Sequence, residues 1–96
     1  MQLVFSGELW YWKGPAPHYF VPVPEEQSRA IHAISALVTY GWGVIPAQVR
    51  VGNTTWTTSL IPKDGRYLVP IRANVRKAEQ LEEGATVTVH LDVGGA

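Results

Sequence analysis

The chain has 96 residues and no cysteine, and its eight basic residues balance eight acidic ones, so its formal net charge is zero. A neutral chain has no overall positive field to hold a phosphate backbone, and a chain without cysteine has neither disulfides nor thiolate metal sites. Its 46% hydrophobic content is typical of a globular protein. We therefore expect one domain over residues 1–96, without a nucleic-acid partner.

Neither a membrane nor a metal is indicated as a partner. No stretch approaches the ~20 apolar residues that cross a bilayer, and the N-terminus lacks the pattern of a signal peptide. The histidines, at positions 18, 32 and 90, lie on different predicted elements without a spacing that gathers a metal. We predict a soluble, cytoplasmic protein with no metal and no cofactor.

The opening residues predict a strand and then a second extended segment. Apolar residues occupy one parity from Leu3 to Tyr11, interrupted at Gly7, so this face should point into the core. Trp10 and Trp12 lie on the opposite parity and point outward, where they could form a dimer interface or a stacking platform unless the helix covers them. Residues 18–23 form the second extended segment.

A helix is predicted to follow directly. Pro24 suits the first helical position, because its missing N–H would have no partner there, and Glu25 and Glu26 favour the positive end of the helix dipole. The apolar residues that then recur at helical spacing are Ala30, Ile31, Ile34, Leu37 and Val38. Gly41 is a plausible C-cap.

The sharpest local prediction is a β-hairpin around Gly52-Asn53. A two-residue turn with glycine first is typical of type II′, and it pairs Val51 with Thr54. The register then places Leu60 opposite Ile45, with Leu60, Trp56 and Thr58 on the inner face.

The remaining residues predict two strands and one short helix. Residues 62–65 form a tight connection, residues 67–71 a short strand and residues 72–80 a short helix or helical turn. Residues 85–93 alternate between apolar and polar positions as a last strand. The six predicted strands favour a mainly β fold of the α+β type, a small closed six-stranded β-barrel with a helix over one mouth. A two-layer sandwich is the alternative.

Two segments resemble a known family. The stretch "GWGVIPAQVRVGNTTWTTSLIPKDGRYLVPIRANVRKAEQLEEGATVTVHL" and the earlier "FSGELWYWKGPAPHYFVPVPEE" are similar to the bacterial domain of unknown function DUF1905. The resemblance covers Leu3 to Val93. Its most specific parts are Gly41-Trp42-Gly43 with Ile45-Pro46, Thr58-Ser59-Leu60 with Pro62, Tyr67, Pro70 and Val75-Arg76-Lys77. The resemblance implies a closed six-stranded barrel with a helical crossover, and it implies no activity.

The candidate binding residues combine an aromatic ring, hydroxyls and cations. Arg76, with Thr58 or Ser59 at a strand end, could hold a carboxylate or phosphate through bidentate, charge-assisted hydrogen bonds. The full predicted ligand set is Trp42, Thr58, Ser59, Arg72, Arg76 and Lys77. The alternatives are that Trp42 plugs one end of the barrel and that the cations form surface ion pairs.

Three functions are compatible with these residues. The first is a small-molecule-binding or regulatory barrel that takes an anionic metabolite. The second is a small cofactor-free enzyme with its pocket at the barrel mouth, for which no catalytic residue is indicated. The third is an interaction module that dimerises through Trp10 and Trp12, so the protein is either a monomer or a homodimer.

Overall fold

A computed structural model describes residues 1–14, 18–38 and 45–94, and of residues 35–38 only the backbone. These residues form seven strands and two helices. The strands are β1 (Gln2–Glu8), β2 (Trp10–Trp12), β3 (His18–Pro22), β4 (Ile45–Val51), β5 (Thr54–Lys63), β6 (Arg66–Pro70) and β7 (Thr86–Val93), and the helices are α1 (Glu25–Val38) and α2 (Ala73–Ala78). The strands pair antiparallel in the order β1-β7-β4-β5-β6-β3-β2, as an open half-barrel.

The prediction of a closed six-stranded barrel is therefore wrong, and the difference arises at Leu9. The Leu9 N–H donates to the Ala85 carbonyl (2.9 Å), and the Leu9 carbonyl accepts from the Gly84 N–H (2.8 Å). Before this corner β1 pairs with β7, and after it β2 pairs with β3. The predicted opening strand is thus two strands, divided at Leu9 rather than at Gly7, and they occupy opposite ends of the sheet order.

Gly7 lies where β1 packs against β3 without pairing with it. A Cβ at this position would lie 2.8 Å from Val21 Cγ1 and 3.4 Å from the Pro22 carbonyl oxygen. The first distance is too short for a carbon–carbon contact, so the two backbones approach as closely as they do because position 7 has no side chain. Glycine here serves close packing between the two ends of the sheet.

The hairpin around Gly52-Asn53 is confirmed. Seven residue pairs join β4 to β5, from Ile45 opposite Leu60 to Val51 opposite Thr54. Gly52 has a φ of +57°, and Asn53 is not in the left-handed region, as a type II′ turn requires. Leu60 is fully buried on the predicted inner face, and the partly buried Trp56 packs against the same core.

Most other predicted elements are also confirmed. The connection between β5 and β6 is a two-residue turn at Asp64 and Gly65, whose φ angles of 52° and 77° match a type I′ turn. Helix α1 begins at Glu25, one residue after the predicted start at Pro24, whose carbonyl accepts from the Ser28 N–H (2.8 Å). Helix α2 lies inside the predicted range 72–80. The predicted C-cap, Gly41, lies outside the described residues.

Ser28 joins α1 to the sheet. Its buried hydroxyl donates to the Val23 carbonyl (3.1 Å) and accepts from the Tyr67 N–H (3.2 Å). Val23 and Tyr67 also share a backbone hydrogen bond (Val23 N–H to Tyr67 carbonyl, 2.9 Å), so three segments meet at one polar point inside the core. A serine at this helical position is small enough to let α1 approach β6.

Replacing Ser28 by alanine is expected to lower the free energy of unfolding by about 1–3 kcal/mol, because the Tyr67 N–H then loses this acceptor inside the core. Urea unfolding measures the change, and faster hydrogen exchange at the Tyr67 amide locates it. Ser6→Ala is the matched control, since the Ser6 side chain is exposed and its hydroxyl contacts only the Thr88 hydroxyl among the described residues. Equal costs for the two variants would contradict the anchoring role of Ser28.

Glu25 and Arg29 form an exposed ion pair on the first turns of α1, with Arg29 Nη2 2.8 Å from Glu25 Oε1. The hydrogen bond and the charge of Arg29 lower the pKa of Glu25 below its ordinary value of 4.5. Because the pKa of this carboxyl is lower in the folded state, its ionised form stabilises the fold at pH values above the unfolded-state pKa. This stabilisation is lost as the pH falls through the folded-state pKa. We expect Arg29→Gln to raise the Glu25 pKa toward 4.5 in an NMR titration of its carboxyl carbon; an unchanged pKa would exclude the pair in solution.

Candidate functional site

Two tyrosines face the interior on the β2–β3 hairpin. Tyr11 and Tyr19 are directly opposite each other across the two strands, with ring centroids 4.8 Å apart and planes inclined by 45°. They share the parity of the buried residues Leu9 and Val21. Both rings are half-buried, so this end of the half-barrel presents an aromatic wall that still reaches solvent.

Helix α2 is held against this wall and against β5. The Ile71 N–H, just before the helix, donates to the Tyr19 carbonyl (2.9 Å). Beyond the other end of the helix, Glu79 Oε2 accepts a hydrogen bond from the Thr54 hydroxyl (2.6 Å). Val75, between these two attachments, is fully buried. A helix of six residues is thus positioned by tertiary contacts rather than by its own helix propensity.

The space between α2 and the tyrosines is a cavity of about 360 Å³. This volume lies toward the lower end of the range of ~300–1,000 Å³ typical of small-molecule sites. The described residues that line it are Tyr11, His18, Tyr19, Ile71, Arg72, Ala73 and Arg76. Among these described residues are two guanidinium groups and no carboxylate, so the local charge of this wall is positive.

Arg76 is the most unusual side chain in the cavity. The central carbon of its guanidinium lies 3.7 Å from the centroid of the Tyr19 ring, in cation–π contact. Its Nε is buried and has no hydrogen-bond partner among the described residues. Its two terminal nitrogens are not buried in this way, so they are the donors that a molecule in the cavity can reach.

Arg72 differs from Arg76 although both line the cavity. Arg72 is exposed, and its Nη2 lies 3.4 Å from the Thr57 carbonyl oxygen, at the long end of the hydrogen-bond range. Its charge is therefore well hydrated and screened. The cavity thus has one partly desolvated cation at its wall and a second, solvated cation at its rim.

The other residues of the predicted ligand set lie elsewhere. Trp42 is outside the described residues. Thr58 is half-buried and lines a separate groove of about 270 Å³ with Gln48, Thr57 and Asp92 among others. Ser59 is half-buried on β5, and Lys77 is exposed on α2. The structure does not place Thr58, Ser59 or Lys77 on the lining of the tyrosine–arginine cavity.

Sequence reasoning missed the two tyrosines as candidate site residues. Tyr11 lies on the predicted inner parity of the opening strand, and Tyr19 shares the parity of Val21 and Val23. This shared parity was the available signal. It was not sufficient because the pairing of β2 with β3, which brings the two rings together, depends on the corner at Leu9.

The outer face of the same hairpin is also aromatic. Trp10 and Trp12 are 49% and 38% exposed, as their parity predicted. The Trp12 ring packs edge-on against His18, with centroids 5.3 Å apart, and Lys63 Nζ lies 5.0 Å from its centroid. Trp10 is therefore the more accessible of the two rings, and the role of either in an interface stays a prediction.

The fold and the cavity define a small, mainly β domain whose half-barrel holds a short helix over a tyrosine–arginine pocket. The sequence profile of the domain of unknown function DUF1905 matches residues 5–91, and the chain belongs to this family. No match was found among curated proteins. Neither helix in the described part of the chain has the length and apolar character needed to span a membrane.

Proposed function

We propose that the domain binds a small anionic molecule in the cavity between α2 and the two tyrosines. The observation that carries this proposal is the state of Arg76, a permanent cation that lies over the Tyr19 ring, lines the cavity and forms no ion pair with a described residue. An anionic acceptor at this point would form charge-assisted hydrogen bonds, which are among the stronger ones in proteins. Location in the cytoplasm, the enzyme alternative and the role of Trp42 stay predictions.

The design of the pocket supports binding rather than surface ion pairing. No ion pair to Arg76 or to Arg72 is present among the described residues, whereas Arg29 pairs with Glu25 at 2.8 Å. The half-buried tyrosine rings lower the local polarity around the guanidinium of Arg76, and a charge interaction is stronger in such surroundings than in water. The cation is thus held where an anion would gain most from it.

NMR spectroscopy of the intact chain tests the proposal directly. The Nε–H group of Arg76 gives its own nitrogen–proton signal, which can be followed during titration with acetate, inorganic phosphate, citrate and benzoate at constant ionic strength. We expect at least one of these anions to shift this signal together with the amides of Tyr19 and Ile71, in a saturable manner. If all four leave the three signals unchanged in the folded protein, the cavity is not an anion site.

A second candidate function is self-association through the outer face of β2. This strand ends the sheet order, so one of its edges pairs with no other described strand, and the exposed Trp10 projects beside it. A second copy of the chain fits such a surface because two β2 edges can pair antiparallel across a two-fold axis, which buries Trp10 of both copies.

We expect sedimentation equilibrium of the intact chain to show a mass that rises with concentration toward that of a dimer, because the exposed ring and strand edge are buried by the partner. Trp10→Ser should abolish this rise. Val4→Ser is the matched control, since Val4 is 56% exposed but lies on β1, at the other end of the sheet. A wild-type chain that stays monomeric at all concentrations would remove this candidate.

A further inference from the structure

The chemistry of the cavity wall restricts the charge of its ligand. Arg76 offers a partly desolvated guanidinium, while Arg72 is solvated and already within reach of the Thr57 carbonyl. A phosphomonoester carries about −1.5 to −2 charges at pH 7. If it lost its water here, Arg76 would be the one partly desolvated cation to compensate that charge. A carboxylate carries a single charge, which Arg76 can balance by itself.

The shape of the guanidinium favours a planar acceptor. Arginine presents its N–H groups in one plane, and a carboxylate accepts two of them in parallel. Because Nε is buried, the pair of donors that remains for a ligand is that of the two terminal nitrogens. A carboxylate bound in this way adopts the plane of a group that already lies in contact with the Tyr19 ring.

The remainder of the cavity is larger and less polar than a bare carboxylate needs. Ile71 and Ala73 contribute apolar surface, and Tyr11 places a second ring 4.8 Å from Tyr19. The two rings already pack against each other, so the aromatic surface left for a ligand is the part of each ring that lines the cavity. A ring attached to the carboxylate would bury this surface, whereas acetate or phosphate would leave it exposed to water.

We infer that the cavity recognises an aromatic monocarboxylate, with Arg76 binding the carboxylate and the Tyr11–Tyr19 pair contacting the ring. The inference rests on the proposed function and adds the chemical class of the ligand to it. Tyr11 is then a specificity-determining residue, because it contacts the part of the ligand that distinguishes it from other small anions.

The test compares ligands that differ in one feature each. Dissociation constants from the Arg76 Nε–H signal of the intact chain would be measured for benzoate, acetate, cyclohexanecarboxylate, benzamide and inorganic phosphate. We expect benzoate to bind at least about ten-fold more tightly than acetate, because of the apolar area it buries, and more tightly than benzamide, which has no charge. Cyclohexanecarboxylate, which has a similar size and charge but no flat ring, should bind more weakly than benzoate.

A variant locates the ring contact. Tyr11→Leu keeps an apolar side chain and should weaken benzoate about three- to ten-fold while leaving acetate within about two-fold. Equal affinities for benzoate and acetate, or tighter binding of phosphate, would overturn the inference and leave the anion site standing. No response to any of the charged ligands would instead remove the proposed function itself. The two failures are therefore distinguishable on the wild-type protein alone.

Discussion

Replacing Arg76 by glutamine is expected to weaken anion binding about 10- to 150-fold, which corresponds to the ~1.5–3 kcal/mol of a hydrogen bond to a charged group. Glutamine retains a hydrogen-bonding amide but loses the permanent charge, the planar donor pair and the contact with Tyr19. Calorimetric or NMR titration with benzoate measures the loss. Because the cation–π contact also disappears, a cost in stability of about 1 kcal/mol is expected, which a domain of this size tolerates.

The matched control is Lys77→Gln. Lys77 follows Arg76 on the same helix and carries the same charge, but it is exposed and is not among the described residues that line the cavity. Its replacement makes the same change in net charge and should alter affinity by less than about two-fold at physiological salt, since an exposed charge is screened there. If both variants lose affinity equally, the domain attracts anions through its general surface charge and the cavity has no special role.

Replacing Leu60 by alanine is expected to lower the free energy of unfolding by about 2–5 kcal/mol. Leu60 is fully buried opposite Ile45, which is also fully buried, so the truncation removes apolar contacts and leaves a cavity in the centre of the sheet. A small domain has roughly 5–15 kcal/mol of stability in total, so this loss is a large part of it. Urea unfolding followed by circular dichroism measures the difference.

Thr57→Ala provides the comparison on the same strand. Thr57 is exposed on the opposite face of β5, so its truncation removes little packing and should cost less than about 1 kcal/mol. The pair of variants reports the register of the hairpin, because a shift by one residue would exchange the two faces. A larger cost at Thr57 than at Leu60 would show that the strand is turned over in solution.

The elements that periodicity predicted well are those whose neighbours are local in sequence. The β4–β5 hairpin was predicted with its turn and register because Gly52-Asn53 and the alternating apolar residues lie within one short segment. The last strand and the start of α1 depend on similarly local signals. In each of these cases the pattern along the chain and the structure report the same physical constraint, namely which face is buried.

The open sheet could not be predicted in this way. Alternation shows which side of a strand faces the core, but it does not show which strand lies beside it. The corner at Leu9 is made by hydrogen bonds to Gly84 and Ala85, about 75 residues later in the chain. A continuous parity from Leu3 to Tyr11 is compatible with one strand or with two, and only these distant partners decide between them.

Only part of the candidate site could be predicted, because local patterns along the chain do not show which strands are neighbours. Arg72 and Arg76 both belong to the predicted ligand set, Arg76 from its place near the start of a short helix, and the structure shows them lining one cavity. Thr58 belongs to the same predicted set but lines a different groove with residues of β4, although the carbonyl of its neighbour Thr57 lies within reach of Arg72. The ring pair required the pairing of β2 with β3, which no local pattern specified.

The pairing of β1 with β7 has a consequence for how the domain acquires its structure. Gln2 lies opposite Asp92, and the Val93 N–H donates to the Met1 carbonyl (2.8 Å), so β1 is hydrogen-bonded by a strand that is synthesised about 90 residues after it. Contacts of such long sequence separation slow folding, because a large loop must close before they form. During synthesis the β4–β5 hairpin can therefore form before β1 has its hydrogen-bonding partner, because β7 follows both of these strands in the chain.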